Sequence, residues 1–136
     1  MDLSLSDCYI TVHDPDLALA FYRDVLGLNL INDVSNGGFR WLTLTTPSQP
    51  DVQIVLEEPH AGRPKQDGDA LLALLTKGSL NGLIFSTEDL DGTFEKVQAS
   101  GAEVLQEPIA QPWGVRDAAF RDPAGNMIRI NQAPAA

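Results

Sequence analysis

The stretch that decides the fold reads VHDPDLALAFYRDVLGL, residues 12–28. It opens at the end of a segment in which apolar and polar residues alternate, as in a half-buried strand. Asp14 and Pro15 then offer a helix start, with proline suited to the first turn. Apolar residues recur at helical spacing from Leu17 through Phe21 to Leu26, and Gly27 supplies a C-terminal stop. This stretch therefore predicts a strand, an amphipathic helix and a sharp end.

A second stretch repeats the same plan. Residues 86–104 read STEDLDGTFEKVQASGAEV, with an acidic turn, a helical pattern and a glycine stop in the same order. Asp89 lies 75 residues after Asp14, and Gly101 lies 74 residues after Gly27. Similarity at a fixed period indicates an internal repeat.

Alternating segments surround both predicted helices. The predicted strands are residues 7–12, 28–34, 39–45 and 52–57 in the first half, and 82–87, 103–106, 115–120 and 127–131 in the second. Each half therefore reads as a βαβββ unit. We predict a single domain, 1–136, with module one at about 5–58, a linker at about 59–79 and module two at about 80–132. The apolar run 71–75 inside the linker is compatible with a short helix.

Composition narrows the class of protein. The chain has 136 residues, 43% hydrophobic and 21% charged, which is ordinary for one globular domain. Nine Lys and Arg face 19 Asp and Glu, a net charge of −10 that disfavours nucleic acid and anionic lipid and would attract a cationic small molecule. The alternative interpretation is that the acidic surface only keeps the protein soluble. Cys8 is the single cysteine, and we see no signal-peptide pattern, so we expect a cytoplasmic protein.

Three runs together resemble the vicinal oxygen chelate superfamily, which includes glyoxalase I, extradiol dioxygenases and the fosfomycin and bleomycin resistance proteins. They are the two helix-bearing stretches above and the closing run RDPAGNMIRI, residues 121–130. The similarity extends over about residues 7–132. It implies an α+β fold in which two tandem βαβββ modules form a curled, cup-like sheet. It also implies a homodimer in which both subunits build each cup.

The resemblance further implies where a metal would be bound. Counting from the family motifs, the four ligand positions fall on Asp7, Val55, Gly82 and Arg129, and a two-residue slip at the second would select Gln53 or Glu57. Glycine has no side chain and arginine has no lone pair to donate, so we expect no metal and no other cofactor.

Neither histidine restores such a centre. His13 falls at the end of its strand, and His60 lies in the linker, so we interpret both as surface residues. Cys8 falls on the core side of its strand and is interpreted as a buried, unreactive thiol. An Asp7–Arg129 ion pair is expected where the metal would be, either holding the strands in register or contacting a ligand.

Strand parity assigns a set of side chains to the cup. Aromatic groups with a few polar neighbours suit a planar, partly polar organic ligand. Trp113 falls where antibiotic-binding members of the family carry a rim aromatic. The predicted ligand-binding residues are Asp7, Tyr9, Phe39, Trp41, Gln53, Val55, Glu57, Trp113, Met127 and Arg129.

Three functions remain open from the sequence. The leading hypothesis is a metal-independent protein that sequesters a drug-like or secondary-metabolite ligand, either cationic or aromatic, in the dimer cup. The second is a metal-dependent lyase, isomerase or dioxygenase with a rearranged site that uses Asp7 and either Gln53 or Glu57. The third is a scaffold that binds no small molecule.

Overall fold

A computed structural model describes residues 1–134 of the chain. The first module consists of β1 (Asp7–Thr11), α1 (Pro15–Leu19) with a π-helical continuation (Ala20–Val25), β2 (Asn29–Asn36), β3 (Phe39–Thr46) and β4 (Gln49–Glu57). The linker contains α2 (Lys65–Thr76). The second module consists of β5 (Gly82–Thr87), α3 (Leu90–Ala99), β6 (Val104–Ala110), β7 (Arg116–Arg121) and β8 (Met127–Gln132). No helix among these residues is long and apolar enough to cross a membrane.

The two modules have the same topology, which confirms the predicted repeat and the α+β fold. Each forms a four-stranded mixed sheet, with strand order β1-β4-β3-β2 in the first and β5-β8-β7-β6 in the second. The first and last strands of each module pair in parallel, and the remaining pairs are antiparallel. Neither sheet closes into a barrel.

Both predicted helix starts are confirmed by their caps. Oδ1 of Asp14 accepts hydrogen bonds from the backbone N–H groups of Asp16 and Leu17 at 3.0 and 3.2 Å. Oδ1 of Asp89 accepts from the N–H of Gly92 at 3.0 Å. Each side chain thereby satisfies amides that the first helical turn leaves unpaired.

The first helix departs from the predicted apolar stripe. It changes to a wider π-helical turn, in which the N–H of Leu26 bonds the carbonyl of Phe21, five residues back, at 3.0 Å. The wider turn rotates the following residues, so that Phe21 and Tyr22 are both buried. Leu17, predicted to face the core, is instead 55% exposed.

Two strands that contain proline, β4 and β6, extend beyond their predicted bounds. They can do so because each proline lies at a strand edge where its missing N–H breaks no pairing. β4 begins at Gln49, three residues earlier than expected, and includes Pro50. β1 starts at Asp7 opposite Gln53, so β4 has no β1 partner at Pro50. β6 runs on to Ala110 through Pro108, on the outer edge of its sheet. A residue without an N–H is tolerated at such edges because it interrupts no ladder.

The modules share one hydrophobic core, and polar contacts also join them. Buried side chains from both sheets and from α1 and α3 form a single cluster. Nδ2 of Asn126 donates to the carbonyl of Thr11 at 2.8 Å, and the N–H of Thr11 donates to Oδ1 of Asn81 at 3.2 Å. These contacts tie the end of β1 to the segments that precede β5 and β8.

Candidate ligand-binding face

In the first module, strand pairing places most of the predicted site residues on one sheet face. Asp7 lies opposite Gln53, Tyr9 opposite Val55, and Trp41 opposite Glu57. Directly paired residues share a face of the sheet, and the alternate positions, such as Ile10 and Leu42, belong to the core. We call the face turned away from the core the cup face.

The second module presents the equivalent face on β5, β8 and β7. Gly82 lies opposite Met127, and Arg129 lies between Ile84 on one side and Ala119 on the other. Ile128 and Ile130 point the other way, into the core. Met127 and Arg129 therefore lie on the face of the sheet that their alternation in the sequence predicts.

Large side chains on or beside this face are exposed. Tyr9 is 60% exposed, Ile84 is 63% exposed and Trp113 is 69% exposed. Trp113 lies in the turn between β6 and β7, which is closed by hydrogen bonds between Gln111 and both Gly114 and Val115. These exposed side chains are available for contact with a ligand.

Glu57 is neutralised by a residue that the sequence did not single out. Its Oε1 accepts a 2.7 Å hydrogen bond from Nη2 of Arg63, and its Oε2 accepts one of 3.3 Å from Nε1 of Trp41. Glu57 is 9% exposed, so both oxygens are largely withdrawn from water. The carboxylate thus orients the indole of Trp41 and has no free charge for a cation.

The expected Asp7–Arg129 ion pair is wrong. Asp7 is exposed at the start of β1 and accepts a 2.7 Å hydrogen bond from Ser6. Nη1 of Arg129 instead pairs with Oδ2 of Asp117 at 3.0 Å. Asp117 is on β7, which lies beside β8, so the guanidinium finds a carboxylate within its own sheet.

Asp117 is the centre of a polar cluster, and its side chain is only 2% exposed. Gln106 and Gln111 donate to its Oδ1 at 2.7 and 2.9 Å, and Arg129 donates to its Oδ2. Burial favours the neutral acid, but the hydrogen bonds from Gln111, Gln106 and Arg129 outweigh it and lower the pKa of Asp117 below its ordinary value. We call these four residues, Gln106, Gln111, Asp117 and Arg129, the arginine cluster.

The arginine cluster was missed from the sequence apart from Arg129. A carboxylate inside a predicted strand was the available signal, because burial of an acid demands donors. Gln106 comes from β6, Gln111 from the following turn and Arg129 from β8, and the antiparallel pairing of β6 and β8 with β7 brings them to Asp117.

The four family ligand positions do not fit a metal ion. Asp7 offers one carboxylate, Val55 and Gly82 offer no donor atom, and Arg129 offers a cation already committed to Asp117. A Cβ built on Gly82 would lie 3.4 Å from Cε of Met127, an ordinary van der Waals contact. Within residues 1–134, no group of three or more His, Cys, Asp and Glu side chains could hold a metal.

Phe39 lies two residues before Trp41 on β3 and therefore shares the cup face. Phe39 lines a surface pocket of about 840 Å³ with His60 and Arg63. His60 is not freely solvated as expected, because its Nε2 lies 2.8 Å from Oδ1 of Asp69. Cys8 is only half-buried rather than enclosed in the core. His13 is exposed beyond the end of β1, as predicted.

Comparison with known proteins identifies the class to which this fold and face belong. The chain belongs to the glyoxalase/bleomycin resistance protein/dioxygenase superfamily, whose family model matches residues 4–130. This confirms the resemblance inferred from the motifs.

Among individual relatives, the chain is similar to the solved structure of UcmS2, with 32% identity, a TM-score of 0.87 and coverage of 98% of this chain and 100% of the other. It is also similar to TnmS3, an antibiotic binding protein from Streptomyces sp. CB03234, with 31% identity, a TM-score of 0.75 and coverage of 98% and 99%. A probable lactoylglutathione lyase of Synechocystis sp. is 32% identical over 127 residues, covering 90% of each chain.

Proposed function

We propose that this chain is a metal-independent small-molecule binding protein that sequesters an aromatic, drug-like or secondary-metabolite ligand on its cup face. The observation that carries the proposal is the combination of two features on that face. Exposed Tyr9, Ile84 and Trp113 offer apolar contact area. The family metal position on β8 carries Arg129, whose charge is balanced by Asp117.

Each feature supports binding rather than metal-assisted chemistry. Aromatic and aliphatic side chains with a few convergent polar groups are typical of small-molecule sites. A guanidinium cannot ligate a cation and would repel one. The similarity to an antibiotic binding protein over nearly the full length of both chains points the same way.

The paired state of Glu57 changes the expected ligand. The sequence left a cationic ligand open because Asp7 and Glu57 share the cup face. Glu57 is engaged by Arg63, and Asp7 is exposed at the start of β1, where solvent screens it. An aromatic ligand without a net positive charge is therefore the better match.

We also propose that the protein is a homodimer, as the family resemblance implies. In that arrangement, residues from both subunits would surround the ligand. Light scattering coupled to size-exclusion chromatography measures the assembly directly, and the binding variants below should leave its mass unchanged.

The test is calorimetric titration of the intact protein with a panel of planar aromatic natural products. Trp113→Ala should weaken binding of any ligand found by about 1 kcal/mol or more, about fivefold in Kd, because aromatic anchors dominate such energies. Leu74→Ala, at a 37% exposed site on α2, is the matched control and should bind like the wild type. Absence of saturable binding across the panel would favour the scaffold hypothesis.

A further inference from the structure

We propose that Arg129 recognises a neutral carbonyl group on the aromatic ligand through guanidinium donors that the protein leaves free. The inference rests on the proposed function, since it names the chemical class of ligand that the cup face binds. It is carried by the hydrogen bonds of one side chain, by the local charge and by the apolar surroundings.

Arg129 has more donors than the protein uses. A guanidinium carries five N–H groups. Nη1 donates to Oδ2 of Asp117 at 3.0 Å and to Oε1 of Gln106 at 3.3 Å. Nη2 has only a 3.8 Å contact with Sδ of Met127, a weak acceptor, and Nε has no acceptor within residues 1–134. The Nε and Nη2 edge is therefore available, on a side chain that is 24% exposed.

The charge of Arg129 is balanced by Asp117, although its Nε and Nη2 donors are free. Asp117 is held against the guanidinium by two further amide donors, so the pair is fixed and locally neutral. A carboxylate ligand would find no surplus positive charge here, in a chain of net charge −10. A cationic ligand would face Arg129 itself. A neutral carbonyl oxygen accepts the free N–H groups and adds no charge.

The surroundings of the free edge suit an aromatic ring beside that carbonyl. Ile84 lies directly across from Arg129 on β5 and is 63% exposed. Ala119 lies on the other side on β7, and Met127 lies two residues away on the same face. Ala119 is only 1% exposed, so a ring would rest on Ile84 and Met127. It would exclude water from Arg129, which strengthens a hydrogen bond made there.

Four probes with one naphthalene ring and one substituent each separate the possibilities. They are 2-acetylnaphthalene with a neutral carbonyl, 2-ethylnaphthalene with no acceptor, 2-naphthoate with a negative charge and 2-(aminomethyl)naphthalene with a positive charge. A purely apolar site would favour the ethyl compound, because the carbonyl loses its bonds to water on binding. We expect the acetyl compound to bind the wild type most tightly, at least about fivefold better than the ethyl compound.

Arg129→Lys tests the residue with its charge retained. Lysine can still pair with Asp117 but lacks the second, planar donor edge. In this variant the order of the acetyl and ethyl probes should reverse. The double variant D117N/R129M, which carries no charge and no side-chain donor at residue 129, keeps the test valid if lysine disturbs folding and should show the same reversal.

A nuclear magnetic resonance readout locates the contact. In ¹⁵N-labelled protein, the side-chain Nε–Hε signal absent from Arg129→Lys belongs to Arg129. That signal should move on adding 2-acetylnaphthalene and stay unmoved on adding 2-ethylnaphthalene at equal saturation. The Arg116 signal, from a residue paired with Asp91 at 2.7 Å, is the internal control.

The outcomes distinguish this inference from the proposed function. If the probes bind with the ethyl compound preferred and the Arg129 signal unmoved, the carbonyl inference is wrong and the binding function stands. If the charged probes bind best, the ligand class is wrong. If none of the four binds, both this inference and aromatic binding on the cup face fail.

Discussion

The phenol of Tyr22 donates a 2.6 Å hydrogen bond to Oδ2 of Asp122, which lies one hundred residues further along the chain. Tyr22 belongs to the π-helical turn of the first module, and Asp122 follows β7 in the second. Oδ1 of Asp122 also accepts the N–H groups of residues 124–126, each at 2.9 Å. One buried carboxylate thus closes a local turn and joins the two modules.

Tyr22→Phe should destabilise the fold by about 1–3 kcal/mol, because it removes a buried donor from a charged acceptor. Chemical denaturation measures the loss. Tyr9→Phe is the matched control, since Tyr9 is 60% exposed, and its effect should stay within about 0.5 kcal/mol. Equal effects of the two substitutions would show that the inter-module bond does not stabilise the fold.

The Tyr22 hydroxyl should also make stability fall at high pH. Burial, and then the charge and hydrogen bond of Asp122, raise the pKa of Tyr22 well above its ordinary value. The unfolded chain therefore releases this proton first, so the folded state loses stability as pH rises beyond about 10. In Tyr22→Phe this alkaline decline should be smaller, as measured by denaturation at pH 8 to 11.

Asp117 should make stability fall at low pH. The pKa of Asp117 is lower in the folded state than its ordinary value of about 3.9. Its contribution to stability is therefore complete above that ordinary pKa and is lost as pH falls through the pKa of the folded state. Asp117→Asn should be less stable than wild type at pH 7, and the difference should shrink between about pH 4 and pH 2. Asp91→Asn, in an exposed pair, should show a much smaller difference throughout.

Gly125→Ala should lower the free energy of unfolding by more than the strain of a left-handed backbone conformation alone. Gly125 has φ +114°, and a Cβ there would lie 2.6 Å from the carbonyl oxygen of Leu75, at the end of α2. Gly101→Ala is the matched control, with φ +91° and open space around the added atom. The control should lose about 1–2 kcal/mol of stability. Gly125→Ala should lose clearly more, because the backbone at Leu75 or at residue 125 must shift to make room for the added carbon. Similar melting temperatures for the two variants would argue against close packing of the linker helix.

Divalent metals should leave the protein unaffected. Protein purified without chelator or affinity tag should contain less than about a tenth of an equivalent of metal, by mass spectrometry, since Arg129 takes a position that the family resemblance assigns to a ligand. Added Zn²⁺, Ni²⁺, Mn²⁺ or Fe²⁺ should not raise the melting temperature, and chelator should not lower it. Near one equivalent per chain, with stabilisation lost on chelation, would make the metal-dependent enzyme the working hypothesis.

Strand faces and helix starts could be predicted from the sequence, because they depend on residues that are close together in the chain. Strand parity depends on a period of two, so Tyr9, Val55 and Arg129 could each be assigned to the side of its own strand turned away from the core. Helix caps depend on residues three apart, so Asp14 and Asp89 marked both helix starts. The family motifs rest on the same short-range patterns, and they sufficed to predict the repeat.

Which charged groups pair on the cup face depends on the tertiary structure. Arg129 pairs with Asp117 rather than Asp7, and Glu57 is neutralised by Arg63 from the linker. These partners depend on which strands are neighbours and in what register, and on where the linker loop folds back. Burial of one shared core selects those relations, and no local pattern in the sequence records them.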